Sequence, residues 1–170
     1  MTTDPGALVV SLAEAKAYLR LEHASDDAML AGHVRTAMAL CEAFTGQWLI
    51  VRSGAQRLAA DTRWQRLSML PVVTFIDVTG RDGLLASTEY ETDIDVSGAG
   101  WVRLAQPTME AVVTMRAGLG DDWNGVPEPL RQGVTRLVAH LYSHRDAADA
   151  GPPPAAVAAI WRPWRRLRLG

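Results

Sequence analysis

The hydrophobic period of this chain changes twice, and that change limits its possible folds more than any single motif does. Apolar residues recur at helical spacing up to Gly46 and again after Pro127. Between Leu49 and Met115, Pro and Gly residues instead separate short runs rich in Val, Ile, Thr and aromatic residues. The pattern predicts an α+β protein that is mainly helical: a small helical bundle with a β-rich middle insertion and an extended C-terminal tail.

Residues that start and stop helices support this division. Ser11 and Glu14 have the spacing of a capping box, in which each side chain bonds the other's backbone N–H. Ser25 is expected to cap the second helix, and Gly46 is expected to end it in a left-handed conformation. Pro127 stands where a third helix would open. A single domain is therefore predicted over 1–150, followed by a linker and tail over 151–170. Within it we expect helices at about 11–22, 26–45 and 128–147, and the insertion at about 49–116.

The insertion has the marks of a small sheet. Its runs at 72–78, 90–96, 101–104 and 111–115 have the length and composition of strands. The dipeptide Asp82-Gly83 follows the first run and is a hairpin signal. Apolar and acidic residues alternate over 90–96, which predicts one solvated face.

The last ten residues combine two indoles and four arginines with no acidic residue, although the formal net charge of the chain is -2. A Pro-rich segment at 151–154 separates this stretch from the third helix. Trp and Arg are the residue types most enriched at the energetic centres of protein interfaces, which favours a docking tail. The alternative is a tail that folds back, with Trp161 and Trp164 covering a core.

Composition excludes several classes of protein. The 170 residues suit one domain, and Cys41 is the single cysteine, so no internal disulfide can form. A balanced charge argues against a dedicated nucleic-acid binder, which would carry a basic face. We expect neither a secretory signal nor a membrane-spanning helix, because no long uncharged apolar run occurs.

Five features suggest chemistry, and each has a simpler explanation. They are the pairs His140/His144, Asp93/Asp95 and Asp121/Asp122, the glycines between Gly118 and Gly125, and Cys41. The histidines lie one helical turn apart but lack a third ligand. Solvation and turn formation account for the carboxylates, and the glycine loop lacks the Lys-Ser or Lys-Thr of a phosphate loop. The cysteine falls on an apolar helix face. We therefore predict no catalytic, cofactor-binding or metal-binding residue.

The order of the segments resembles the head-tail connector (adaptor) proteins of long-tailed phages, a pattern also expected in gene transfer agents derived from such phages. The segments that carry this resemblance are 10–21 with 25–27, 41–47, 70–72 with 90–93, 116–120, 126–130 and 137–145. Each alone is a capped helix or a Gly-Pro connector. Their shared order, over nearly the whole chain, is what resembles the family.

The resemblance implies a structural protein without catalytic activity or cofactor. In that family a ring, generally a dodecamer, sits beneath the portal protein, lengthens the DNA channel and offers a surface to the next neck, stopper or tail protein. Genomic DNA would pass through without sequence-specific binding, and no membrane would be involved. The location implied is the head-tail neck of the virion, assembled in the host cytoplasm. The tail is similar to the family's portal-docking segment, which carries this role to Trp161, Trp164, Arg165, Arg166 and Arg168.

Three alternatives stay open on the sequence alone. A nucleic-acid binder could use the tail arginines, including Arg162, with Trp161 or Trp164 stacking on bases. An enzyme could use Asp93 or His140, although no positioned acid and base are evident. A neck or tail-completion protein would share ring formation but bind different neighbours.

Overall fold

The computed structural model describes residues 12–144 and 154–166. Contacts within the chain divide it into two compact units. The strand unit comprises Ile50–Leu119, and the helical unit comprises the described residues on either side of it. Each unit has its own buried apolar residues.

Helices with one apolar face build the helical unit. They are α1 (Leu12–Leu19), α2 (Asp27–Thr45), α3 (Glu128–Ser143) and α4 (Ala155–Trp161), with short 3-10 turns at Trp123–Gly125 and Arg162–Trp164. Helix α3 packs against α1, α2 and α4. Leu30 and Val34 of α2 and Leu130 and Leu137 of α3 are buried. Burial of each such side chain stabilises the unit by about 1.5–3 kcal/mol relative to exposure.

The two ends of α2 differ from each other in how well the sequence predicts them. Gly46 adopts φ 70° and its N–H donates to the carbonyl of Glu42, so the predicted helix stop is confirmed. The prediction that Ser25 is the N-cap is wrong, because Asp26 occupies that position without a side-chain capping bond. The Asp26 carboxylate instead accepts a hydrogen bond of 2.5 Å from the hydroxyl of Tyr142. A long-range partner has replaced the local one. Ser11, proposed for the capping box of α1, lies outside the described residues.

The strand unit holds two antiparallel sheets. Its strands are β1 (Arg52–Arg57), β2 (Gln65–Arg66), β3 (Val72–Gly80), β4 (Gly83–Leu84), β5 (Tyr90–Ile94), β6 (Gly100–Leu104) and β7 (Val112–Ala117). The four-stranded sheet has the order β1-β7-β3-β4, and the three-stranded sheet has the order β2-β6-β5. Val78, Val113 and Met115 of the first sheet and Val102 and Leu104 of the second are buried.

Turn chemistry and pleating explain the register of both sheets. Gly80 pairs with Gly83 across the predicted hairpin turn, and Gly83 has φ 122°, a conformation that favours glycine. Along β6, Val102 and Leu104 are buried while Trp101 and Arg103 are half-buried. This alternation gives the three-stranded sheet an inner and an outer face.

The prediction of a mainly helical protein is wrong. Of the described residues, 38% are helical and 25% are in strands, the latter in two antiparallel sheets, which makes this an α+β fold with substantial sheet. Strands β1, β2 and β4 lie outside the runs with strand composition, so composition alone underestimates the sheet. The tail is not extended either, because its described part forms α4 and the following 3-10 turn.

Among the residues that the structure describes, no helix is both long enough and apolar enough to cross a membrane.

Candidate functional site

The C-terminal tail is held to the helical unit by Trp161, the last residue of α4. Its side chain is completely buried, although a surface-docking role predicts an exposed indole. The site exists because Gly133 of α3 has no side chain. A methyl group there would collide with the indole nitrogen and lie 2.7 Å from Cε2. The helix α3 thus provides a notch that accepts one tryptophan.

Polar and aromatic contacts complete this notch. The indole N–H of Trp161 donates to the carbonyl oxygen of Leu130 over 3.4 Å, so the buried donor has a partner. The ring of Phe44, near the end of α2, lies 5.9 Å from the indole centroid at an interplanar angle of 51°. Such tilted aromatic pairs stabilise by about 0.5–1.5 kcal/mol beyond the area that they bury.

After Trp161 the chain runs along the C-terminal end of α2. The side-chain amide N–H of buried Gln47 donates a hydrogen bond of 2.6 Å to the carbonyl oxygen of Trp164. The N–H of Arg166 donates to the carbonyl oxygen of Thr45 over 2.7 Å. The guanidinium of Arg165 lies 5.6 Å from the ring centroid of Phe44. The two hydrogen bonds and the cation–ring contact hold residues 162–166 against the end of α2.

This path leaves a basic surface with one aromatic ring. Arg162, Arg165 and Arg166 are exposed and Trp164 is half-buried, and we call these four residues the tail surface. No acidic residue occurs between 154 and 166. The tail surface includes three of the five residues predicted to bind a portal protein. Of the other two, Trp161 is buried and Arg168 lies outside the described residues. The portal-binding role itself stays a prediction.

Sequence reasoning missed the residues that receive the tail. Gly133 was available as a signal, because a glycine inside a helix costs about 1 kcal/mol relative to alanine, but Gly32 of α2 gives the same signal and meets nothing within 4 Å. Gln47 and Phe44 gave no comparable signal. Their roles depend on a partner more than a hundred residues away, which no local pattern specifies.

The acidic pair of the β5 hairpin is divided between two environments. Asp95 accepts hydrogen bonds from the hydroxyl of Ser97 over 2.6 Å and from the indole of Trp101 over 3.0 Å. These bonds, with those from the N–H groups of Ala99 and Ser97, hold the pKa of Asp95 well below its usual range. Asp93, two residues earlier in β5, is exposed. The two carboxylates therefore do not form an acid-base pair.

The remaining candidates have structural roles. His144 Nδ1 lies 2.9 Å from the carbonyl oxygen of His140, and the described part of the chain contains no cluster of three metal-ligating side chains. Asp122 caps the 3-10 turn by accepting from the N–H groups of Asn124 and Gly125. Cys41 is fully buried, and burial, with a smaller contribution from Glu42, raises the pKa of its thiol. A neutral buried thiol is a poor nucleophile.

Solved structures of other proteins contain chains with this fold. No protein-family profile and no curated protein matches this sequence. A solved structure of the neck of an empty gene transfer agent (GTA) particle, computed with C6 symmetry, contains a similar chain. The identity is 26% and the TM-score 0.78, over 99% of this chain and 97% of that one.

Two further structures agree with the first. The neck of a native GTA particle, computed with C12 symmetry, contains a chain with 26% identity and a TM-score of 0.76. The virion of a native GTA particle contains one with 25% identity and a TM-score of 0.75. Both cover 99% of this chain and 97% of the other. The fold is therefore that of a phage-type or GTA neck protein, which supports a structural role in an oligomeric ring of the virion neck.

Proposed function

We propose that this protein is the head-tail adaptor of a phage or gene transfer agent. It forms a ring, a dodecamer, beneath the portal, lengthens the DNA channel and provides the attachment surface for the next neck, stopper or tail protein. The observation that carries this proposal is the similarity, over nearly the full length of both chains, to a chain of GTA necks computed with C12 and C6 symmetry. The order of segments in the sequence supports the same family.

The tail surface is the proposed portal contact. Its three exposed guanidiniums and one indole belong to the residue types that dominate binding energy at protein interfaces. Its backbone is bonded to the end of α2, so less conformational entropy is lost on docking than for a free peptide. In this proposal Trp161 acts from within, as the anchor of α4, while Trp164, Arg165, Arg166 and Arg168 meet the portal.

Charge reversal on the tail tests the proposal without removing α4. The variant Arg165→Glu/Arg166→Glu/Arg168→Glu leaves Trp161 in place, whereas a truncation before α4 would also empty the notch at Gly133. Native mass spectrometry of the full chain mixed with the portal protein of the same particle measures the complex. We expect a ring-on-ring mass for the wild type and roughly a tenfold or larger loss of it for the variant.

A matched variant controls for net charge. Arg20, Arg35 and Arg136 are exposed arginines of the helical unit outside the tail. Their simultaneous replacement by Glu changes the charge equally and should leave portal binding close to that of the wild type. Equal binding by the wild type and the tail variant would exclude the tail surface as the portal contact. Absence of any complex with the wild type would contradict the adaptor proposal itself.

The same proteins test the nucleic-acid alternative, which the exposed arginines of the tail surface favour. A DNA binder would show affinity that falls steeply with salt and is lost in the tail variant. An adaptor would show weak DNA binding in both the wild type and the tail variant.

A further inference from the structure

On the outer face of the three-stranded sheet, one row of side chains pairs its charges within the row. Arg103 of β6 lies at the centre of this row. Its guanidinium carbon is 5.1 Å from the ring centroid of Trp64 on one side, and its Nη2 is 2.7 Å from both carboxylate oxygens of Glu91 on the other. The row therefore runs from an aromatic ring through a cation to an anion, and its charges are paired within the chain.

The adjacent row has unpaired ends. Trp101 of β6 is the register partner of Arg66 on β2 and of Asp93 on β5. Its indole donates to Asp95, so it neutralises neither end. The side chains of Arg66 and Asp93 are both exposed, and among the described residues neither side chain forms a hydrogen bond or ion pair. Two strand spacings put about 10 Å between their Cα atoms, beyond direct pairing across the intervening tryptophan.

The sheet consequently has two different edges. At the β2 edge, Arg66 stands beside Trp64, whose side chain is 41% exposed. At the β5 edge, Asp93 lies three residues before Val96, which is fully exposed in the turn after the strand. Each edge thus combines exposed apolar surface with one unpaired charge, and the two charges have opposite signs.

A closed ring needs two different and complementary contact surfaces on every subunit, and the two edges have that property. Each subunit of a cyclic ring uses one patch to contact a second, different patch on its neighbour, so the two patches must be complementary. Exposed ion pairs contribute little free energy by themselves, so the apolar groups would supply most of the affinity. Opposite charges across the contact would fix its direction and oppose like edges.

We propose that the occupant of each edge is a second copy of this chain: the β5 edge of one subunit docks on the β2 edge of the next, pairing Asp93 with Arg66 and covering Trp64 with Val96. The proposal rests on the ring of the proposed function and assigns part of the contact between its subunits. Similar chains in necks with C6 and C12 symmetry repeat around an axis, which is the arrangement that a head-to-tail edge contact serves.

Charge-swapped variants test the contact in the full chain. Arg66→Asp and Asp93→Arg each place like charges at every junction, whereas the double variant restores opposite charges with their positions exchanged. Ring formation on the portal protein is measured by native mass spectrometry. We expect each single variant to lose roughly tenfold or more of the ring and the double variant to return to about the wild-type amount. An equimolar mixture of the two single variants should also form rings, with alternating subunits.

Two controls accompany the charge-swapped variants. Arg81→Asp removes another exposed arginine of the strand unit, outside this sheet, and should leave the ring intact. Circular dichroism checks that each variant keeps its sheet content. Rings from the single variants in wild-type amounts would overturn the edge contact and leave the adaptor function standing. Loss of the ring in the folded double variant as well would also overturn the edge contact. A wild type that forms no ring would remove the proposed function and the edge contact with it.

Discussion

Asp95 is a single polar side chain that holds together the turn between β5 and β6. The alternation of acidic and apolar residues over 90–96 predicts solvated carboxylates, yet Asp95 organises the β5–β6 turn by accepting from Ser97, Ala99 and Trp101. Sequence indicated an acidic strand at this place. It did not indicate which acid would be bonded, because that depends on how the turn brings Trp101 back over the carboxylate.

The lowered pKa of Asp95 predicts a specific dependence on pH. A carboxyl whose pKa is lower in the folded state than in the unfolded state stabilises the fold above its unfolded pKa of about 3.9, and this stabilisation is lost as the pH falls. We expect Asp95→Asn to lower Tm at neutral pH, and the difference from the wild type to shrink progressively as the pH falls below about 4. Asp93→Asn, at an exposed position whose side chain has no bonded partner among the described residues, should change Tm little over the same range. Thermal denaturation followed by circular dichroism measures both, and parallel pH profiles for the wild type and Asp95→Asn would contradict this role.

The packing of α4 on α3 makes the two glycines of the long helices unequal. Gly133 faces Trp161 without room for a methyl group, whereas a methyl group at Gly32 of α2 would meet nothing within 4 Å. Gly133→Ala should destabilise the helical unit by about 1–3 kcal/mol through overpacking, or release the tryptophan. Gly32→Ala should instead stabilise the protein by up to about 1 kcal/mol, since alanine is the better helix former.

Urea denaturation and tryptophan fluorescence distinguish these results. A blue-shifted emission component from buried Trp161 should disappear in Gly133→Ala if the indole leaves its notch, and should persist in Gly32→Ala. Equal stability of the two variants would mean that α3 and α4 are not in the contact described.

Elements with a strong local signal were predicted, including the strands β3, β5, β6 and β7, whereas β1, β2, β4 and α4, which lack such a signal, were not. The apolar face of α2 and its terminal glycine specify that helix with little help from the rest of the chain. Strand β1, with the sequence Arg-Ser-Gly-Ala-Gln-Arg, has no β-branched residue and no apolar alternation. It is a strand because six of its residues pair in register with β7. The same reasoning applies to α4, whose predicted extended form ignored the notch that only α3 provides.

At the scale of the whole molecule, the described residues of the helical unit come from two separate segments of the sequence, and those of the strand unit come from one. The helical unit resumes where it was interrupted, because the N–H of Gly120 donates to the carbonyl oxygen of Leu49 over 3.2 Å. A chain that leaves and returns at one point is the arrangement of an inserted domain. Sequence predicted an insertion at about 49–116, but it could not show whether the segment has a core of its own.

Separate expression of the two units tests their independence. A peptide of residues 50–119 contains both sheets and the buried residues Val78, Val102, Val113 and Met115. We expect it to show a β-type circular dichroism spectrum and cooperative urea unfolding, with a stability of no more than about 3–5 kcal/mol because so short a chain buries a small core.

The complementary chain, with Leu49 joined to Gly120 through a short glycine linker, should keep Trp161 buried and its blue-shifted emission, because Gly133, Phe44 and Leu130 all remain. With the units purified separately, the two proposed interactions can be tested one at a time. Portal binding is assigned to the helical unit, and the contact between subunits is assigned to the sheet edges of the strand unit. A disordered 50–119 peptide alongside a folded complementary chain would mean that the strand unit needs the helical unit in order to fold. Loss of structure in both would make the chain one cooperative unit, in which a substitution at either site changes the other.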